Sequence, residues 1–188
     1  MQKIDKTQIL STVYKQWEED LEANNQPHPK YNSSNFRFYK DIVMNLFYCQ
    51  KGLCAYTEKR LCNPEHSTVE HWKNGRYISD KPDIFGDLEH FDESLKAKKS
   101  DAQGLKDWLW NNFFMVDSNI NTKVKGSKSV DSILKPDTES YNPYDLLDYN
   151  LQTHEFTCKM NGNLTDDEKQ RIETMIEILG LNFGPILD

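Results

Sequence analysis

Ser67-Thr68-Val69-Glu70-His71-Trp72 is the stretch whose reading decides the fold. Thr68 and Val69 favour extended backbone, so a short strand over 68–71 is expected to deliver a carboxylate and an imidazole side by side. Glu70 suits a hard divalent cation, and His71 can take a proton from water near neutral pH. The plain alternative is a solvated Glu–His pair at a strand end. The segment Asn111-Asn112-Phe113-Phe114-Met115-Val116-Asp117-Ser118-Asn119-Ile120-Asn121-Thr122-Lys123 separates the two readings. Asn112 opens a run, Phe113–Val116, that lacks alternation and so predicts a strand buried on both faces. Asp117 or Ser118 then caps a short helix that carries Asn121 and Lys123 and stops at Gly126.

Outward from this pair, the flanks read as helices. Residues 6–24 form an amphipathic pattern with Asp5 as its cap and Ile9, Leu10, Val13, Trp17 and Leu21 at helical spacing. Residues 24–35, with Pro27 and Pro29, are a loop. Residues 36–48 give a second helix, with Phe38, Ile42, Val43, Leu46 and Phe47 on one wide face and Gly52 as its stop. Residues 53–61 read as a knuckle. Residues 72–104, rich in charge and marked by Gly75, Pro82 and Gly86, read as a polar insertion. Leu105, Trp108 and Leu109 share a face of a helix over 105–110. Residues 156–160 read as a strand. The clearest helix is the last one. Thr165-x-x-Glu168 is a capping box, Ile172, Met175, Ile176 and Leu179 form its stripe, and Gly180 ends it.

The chain has 188 residues, 37% hydrophobic and 28% charged, enough for one well-buried domain. No apolar run is long enough to span a bilayer. Met1-Gln2-Lys3-Ile4-Asp5 lacks the apolar core of a signal peptide, so a cytoplasmic protein with no membrane partner is expected. A formal net charge of −7 argues against nucleic-acid binding by the whole surface. A local basic strip remains, Lys123, Lys125, Lys128 and Lys135, interrupted only by Asp131. The four cysteines, Cys49, Cys54, Cys62 and Cys158, form no Cys-x-x-Cys pair and read as reduced thiols. His66 beside Glu65 reads as a loop residue. His90 with Asp87, Glu89 and Asp92 reads as a solvated face or a partner contact, and Glu58, Asp137 and Glu155 as surface acids.

Strand, acid–His pair, long connection, strand with a leading Asn, helix with a polar amide: in this order the residues resemble the HNH endonucleases. The resemblance is nearest to the bacterial HNH proteins found beside ATPases in Septu-type and retron-type phage defence. It rests on Gln50-Lys51-Gly52-Leu53-Cys54-Ala55-Tyr56-Thr57-Glu58, Val69-Glu70-His71-Trp72, Asn112 through Asn121, Asn142-Pro143-Tyr144-Asp145 and Leu179-Gly180-Leu181-Asn182. It implies an α+β fold, an HNH-like ββα-metal core surrounded by helices. The layout is then N-terminal helices over 1–50, the core over 51–126 with its insertion at 72–104, and C-terminal turns and a helix over 127–188. By resemblance His71 is the general base, Asn112 braces the loop that orients it, and Glu70 and Asn121 hold Mg²⁺ or Mn²⁺. Lys123 and Lys125 would meet substrate phosphate as point charges. The family's zinc cysteines fall on Cys54, Thr57, Asp117 and Ile120, so no structural zinc is expected. The implied function is cleavage of DNA, ahead of RNA, as the effector subunit of a defence complex with an ATPase partner. The alternative is a catalytically inactive HNH-derived subunit that binds that ATPase.

Overall fold

The computed structural model describes residues 1–98, 105–160 and 163–182. Helices α1 (Thr12–Ala23), α2 (Tyr39–Gln50), α3 (Pro143–Leu146) and α4 (Asp166–Leu179) combine with three small antiparallel ladders. These are β1 (Trp72–Lys73) with β2 (Arg76–Tyr77), β3 (Gly86–His90) with β4 (Phe113–Asp117), and β5 (Leu147–Asn150) with β6 (Glu155–Cys158). The architecture is therefore mixed α and β. Among the described residues no helix is long and apolar enough to cross a membrane.

β4 is the centre of the core. All five of its residues are buried, as the unalternated run 113–116 requires. One edge pairs with β3, from Gly86 opposite Asp117 to His90 opposite Phe113. The other edge is closed without a third strand. The Gln50 side-chain amide donates to the Met115 carbonyl at 2.9 Å and accepts the Met115 N–H at 2.9 Å, and Ala55 N–H adds a bond of 3.0 Å. A buried backbone edge needs such partners. α2 lies on β4 with Ile42, Val43, Met44, Leu46 and Phe47 all buried. It ends where Lys51 and Gly52 turn left-handed, and a Cβ on Gly52 would stand 2.8 Å from the Cys62 carbonyl oxygen. α4 has its capping box and a left-handed Gly180, with Ile172, Met175, Ile176 and Leu179 buried as the pattern requires.

Four expectations need correction. Residues 68–71 are not a strand: Val69–His71 is a single 3₁₀ turn. Pairing starts one residue later, because Asn74-Gly75, with φ of 50° and 73°, makes a two-residue hairpin turn that fixes the register at Trp72 opposite Tyr77. The first helix begins at Thr12 rather than residue 6. The Asn45 side-chain oxygen takes the N–H groups of Leu10 and Ser11 at 2.8 and 3.0 Å, which diverts them from a helix, while Asp5 closes a local turn on Thr7. Residues 105–110 do not form a helix. Three of the N–H groups go to side chains instead: Leu105 to Asp107, Trp108 to His28 Nδ1 and Trp110 to Glu18. Finally, residues 72–104 are not a polar insertion, since they contain β3, half of the central ladder, with Leu88, Glu89, His90 and Phe91 buried. Residues 99–104 of that stretch lie outside the described residues.

Candidate functional site

The first Glu–His pair sits on the 3₁₀ turn before the β1–β2 hairpin. Glu70 is exposed and His71 half-buried. Both imidazole nitrogens are engaged. Nε2 meets the Glu65 carbonyl oxygen at 3.0 Å and so carries the proton, while Nδ1 is 2.6 Å from Ser79 Oγ and accepts from it. Both nitrogens are thus held by groups of the chain itself. Among the described residues no hydrogen bond, ion pair or ring contact joins Glu70 or His71 to Asn112, Asn121, Lys123 or Lys125.

A second Glu–His pair ends β3, and the other expected residues gather there. Glu89 and Lys125 form an ion pair at 2.8 Å with both side chains 1% exposed. Tyr56 donates its hydroxyl to the same carboxylate oxygen, Oε1, at 3.3 Å, and Lys125 also donates to the His90 carbonyl at 3.1 Å. Glu89 Oε2 is buried with no hydrogen-bond partner. Burial lifts the Glu89 carboxyl well above its usual range, with Lys125 and Tyr56 pulling the other way. His90 packs between the rings of Tyr31 and Phe113, 4.7 and 4.9 Å between centroids. Its Nε2 donates to the Asp107 carbonyl at 2.9 Å. Burial pushes its pKa down to about 4, against that hydrogen bond, so the ring is neutral at pH 7. Asn112 closes the loop after His90, accepting the Asp92 N–H at 2.8 Å and donating to the Asp92 carbonyl at 2.9 Å. The expected bracing contact is thus made to the neighbourhood of His90 and not to that of His71.

The short helix expected after β4 is a π-helical turn, Ile120–Lys125. Asn121 is half-buried on it and Lys123 is exposed. Lys125 corrects its expectation: it faces the core, because only there does the Glu89 carboxylate meet a cation. Lys135 is likewise bound, to Asp137 at 2.5 Å. Of the four-lysine strip, Lys123 and Lys128 are exposed.

The residues present do not fit a divalent cation at either pair. Beside Glu70 both His71 nitrogens are committed, and beside Glu89 the Lys125 ammonium already holds the carboxylate, so a second cation would meet repulsion. The knuckle does not fit zinc either. Cys54 Sγ accepts the Asp117 N–H at 3.4 Å, Asp117 pairs with Lys59 at 2.7 Å, and Ile120 has no donor atom.

Compared with known proteins, the chain matches no family model, no curated protein and no solved structure.

Glu89–His90, flanked by Asp87 and Asp92, reads in sequence as a solvated face or a partner contact, and the structure buries it instead. A signal was present. Val69-Glu70-His71-Trp72 and Leu88-Glu89-His90-Phe91 are two copies of one pattern, apolar–Glu–His–aromatic, within a short span. The second copy follows a glycine and has the length to pair fully with 113–117.

Proposed function

We propose that this chain is an HNH-derived subunit that works by binding, to nucleic acid and to an ATPase partner, and not by cutting. What carries the reading is the buried Glu89–Lys125 pair. In the HNH arrangement the acid of the acid–His pair faces a metal ion. Leu88-Glu89-His90-Phe91 suits that place better than the first pair does. It ends the strand paired with β4, it keeps the phenylalanine of the family's Glu-His-Phe pattern, and Asn112 clasps the residue two beyond its histidine. With an ammonium held against Glu89, the charge that a cation would neutralise is already neutralised. The resemblance to ATPase-associated defence proteins supplies the partner, and the acidic net charge of −7 suits a subunit that a basic partner brings to nucleic acid.

One observation favours the other reading, an endonuclease. The Asp107 carbonyl fixes the His90 proton on Nε2, which leaves Nδ1 with a lone pair, the form a general base needs. Plasmid cleavage by the purified chain across a Mg²⁺ and Mn²⁺ titration separates the two. A binding subunit leaves the plasmid intact throughout. Cleavage that drops about 100-fold or more in His90→Gln, and is unchanged in His71→Ala, would replace the binding reading with the nuclease one.

A further inference from the structure

The β5–β6 hairpin has two outer edges, and the chain closes one of them. On β6 the Asn182 side chain accepts the Phe156 N–H at 2.7 Å and donates to the Phe156 carbonyl at 2.9 Å, and the Glu173 carboxylate accepts the Cys158 N–H at 2.8 Å. Phe156 and Cys158 therefore point their backbone groups away from β5. The Lys159 N–H donates to the Leu146 carbonyl at 3.0 Å, which sets the same phase on the other strand. Leu147 lies opposite Cys158 and Tyr149 opposite Phe156, so the backbone groups of Leu147 and Tyr149 point outward from β5. The Leu147 N–H turns back to the Pro143 carbonyl. Among the described residues nothing meets the Leu147 carbonyl, or the N–H and carbonyl of Tyr149.

An open strand edge is a template for another strand. Beside this one lies a groove of about 810 Å³, walled by Leu147, Tyr149, Phe156, Tyr141, Pro143 and Tyr144. Its charged groups balance: Lys3, Lys159 and the Met1 α-ammonium stand against Glu58, Glu139 and Asp148. It suits an apolar group rather than an ion of either sign. The chain carries such a group at the end of the same strand. Leu151 is 78% exposed, and by alternation it lies on the side of Leu147 and Tyr149. The edge also complements itself. It reads Leu147-Asp148-Tyr149-Asn150, followed by Leu151. Its outward groups sit on the odd-numbered residues, so a second copy running antiparallel pairs odd residues with odd ones. With the two-fold axis at Tyr149, each Tyr149 N–H donates to the other Tyr149 carbonyl. The Leu147 carbonyl then meets the Leu151 N–H of the second copy. That leucine stands opposite Leu147 and enters the groove, and the symmetry repeats the contact. Asp148 faces Asn150 of the second copy. A shift of two residues one way sets Asp148 against Asp148, which like charge disfavours. A shift the other way leaves the Leu147 carbonyl opposite Thr153, whose N–H Asn150 already holds.

We propose that the chain forms a symmetric dimer by pairing β5 with β5 of a second copy, antiparallel and centred on Tyr149, with each Leu151 seated in the other copy's groove. This pairing does not depend on whether the chain binds or cuts nucleic acid. The interface is small, so the dimer is reversible. Two copies of net charge −7 repel one another at long range, so added salt strengthens the association.

The test is sedimentation of the full chain at loadings from about 1 μM to about 1 mM, under reducing conditions, at low and at moderate salt. The parent shifts from monomer to dimer as concentration rises, and more readily at the higher salt. Leu151→Gln removes the side chain that fills the groove and weakens the dimer about 10-fold or more. Leu151 is exposed in the single chain, so the variant folds like the parent, which its circular dichroism and melting temperature check. Phe85→Gln alters an equally exposed apolar side chain outside the groove and leaves the dimer unchanged. Tyr149→Cys reads the register. Directly opposed residues on hydrogen-bonded strands stand about 5.5 Å apart at Cα, within the span of a disulfide, so mild oxidation links two copies of this variant and not of the parent. Four outcomes overturn the proposal: a parent that is monomeric at every loading, a dimer that Leu151→Gln leaves intact, a dimer lost in Phe85→Gln, or a dimer that Tyr149→Cys does not cross-link. A chain that stays monomeric but takes up an added extended peptide of alternating apolar residues at this edge also overturns it, in favour of a strand from another protein.

Discussion

Glu70-His71 and Glu89-His90 are the same dipeptide in opposite environments. The first lies on a surface turn, its acid exposed and its imidazole fastened at both nitrogens to Ser79 and Glu65. The second ends a five-residue strand, with acid and imidazole 1% and 2% exposed. Acid–His chemistry is not a property of the dipeptide. Contacts and access are set by what packs on it: Ser79 and solvent in one case, Lys125, Tyr56, Tyr31 and Phe113 in the other. Buried ionisable groups acquire strong constraints and surface ones do not, and three experiments press on that difference.

The largest effect falls on the buried pair. Lys125→Met leaves the Glu89 carboxylate without a cation in the core, which costs about 3–5 kcal/mol of folding stability, while adding Glu89→Gln recovers most of it. Urea denaturation of the parent, single and double variants measures this. A single-variant loss under about 1 kcal/mol, within the range of ordinary surface changes, would mean that the pair is not closed as described.

Next is the pH response of His90. Its folded pKa of about 4 lies below the ordinary 6.5 because burial disfavours the imidazolium. The unfolded chain therefore binds the proton first. Stability from the neutral ring is complete above pH 6.5 and is lost as pH falls towards 4, by up to about 3 kcal/mol. Glu89, raised by burial, works in the opposite sense: its contribution is present in acid and lost as pH rises through its folded pKa. The informative quantity is thus the difference between the parent and His90→Gln across this window. The parent should lose more stability on acidification than the variant, and parallel curves would refute the assigned environment.

The smallest effect belongs to the surface pair. Glu70→Gln should change stability by less than about 0.5 kcal/mol. A larger shift in the urea midpoint would show that the 3₁₀ turn carries structure that its exposure does not suggest.

The central strand was legible because four successive apolar residues, Phe113 to Val116, leave no solvent face. The last helix was legible because its capping box, stripe and terminal glycine are all local signals. Its partner in the ladder was not legible. β3 buries Glu89 and His90, and distant partners make that tolerable: Lys125, delivered by the π-helical turn, meets the Glu89 carboxylate, and the Asp107 carbonyl meets the His90 ring. The same holds for the helix expected at 105–110. Its apolar spacing is helical, but His28 and Glu18 capture the Trp108 and Trp110 N–H groups that a helix would need.

By itself the sequence determined the net charge, the apolar runs, the caps and the residue types that an acid–His site requires. Each of these is set by a few neighbouring residues. Only the tertiary structure decided which of two Glu–His pairs lies inside, which lysines remain at the surface, and that Arg37 and Arg76 share the Phe38 ring. Burial and long-range charge pairing join residues that sequence spacing does not relate. For an ionisable group, that pairing fixes whether it serves the core or meets a partner.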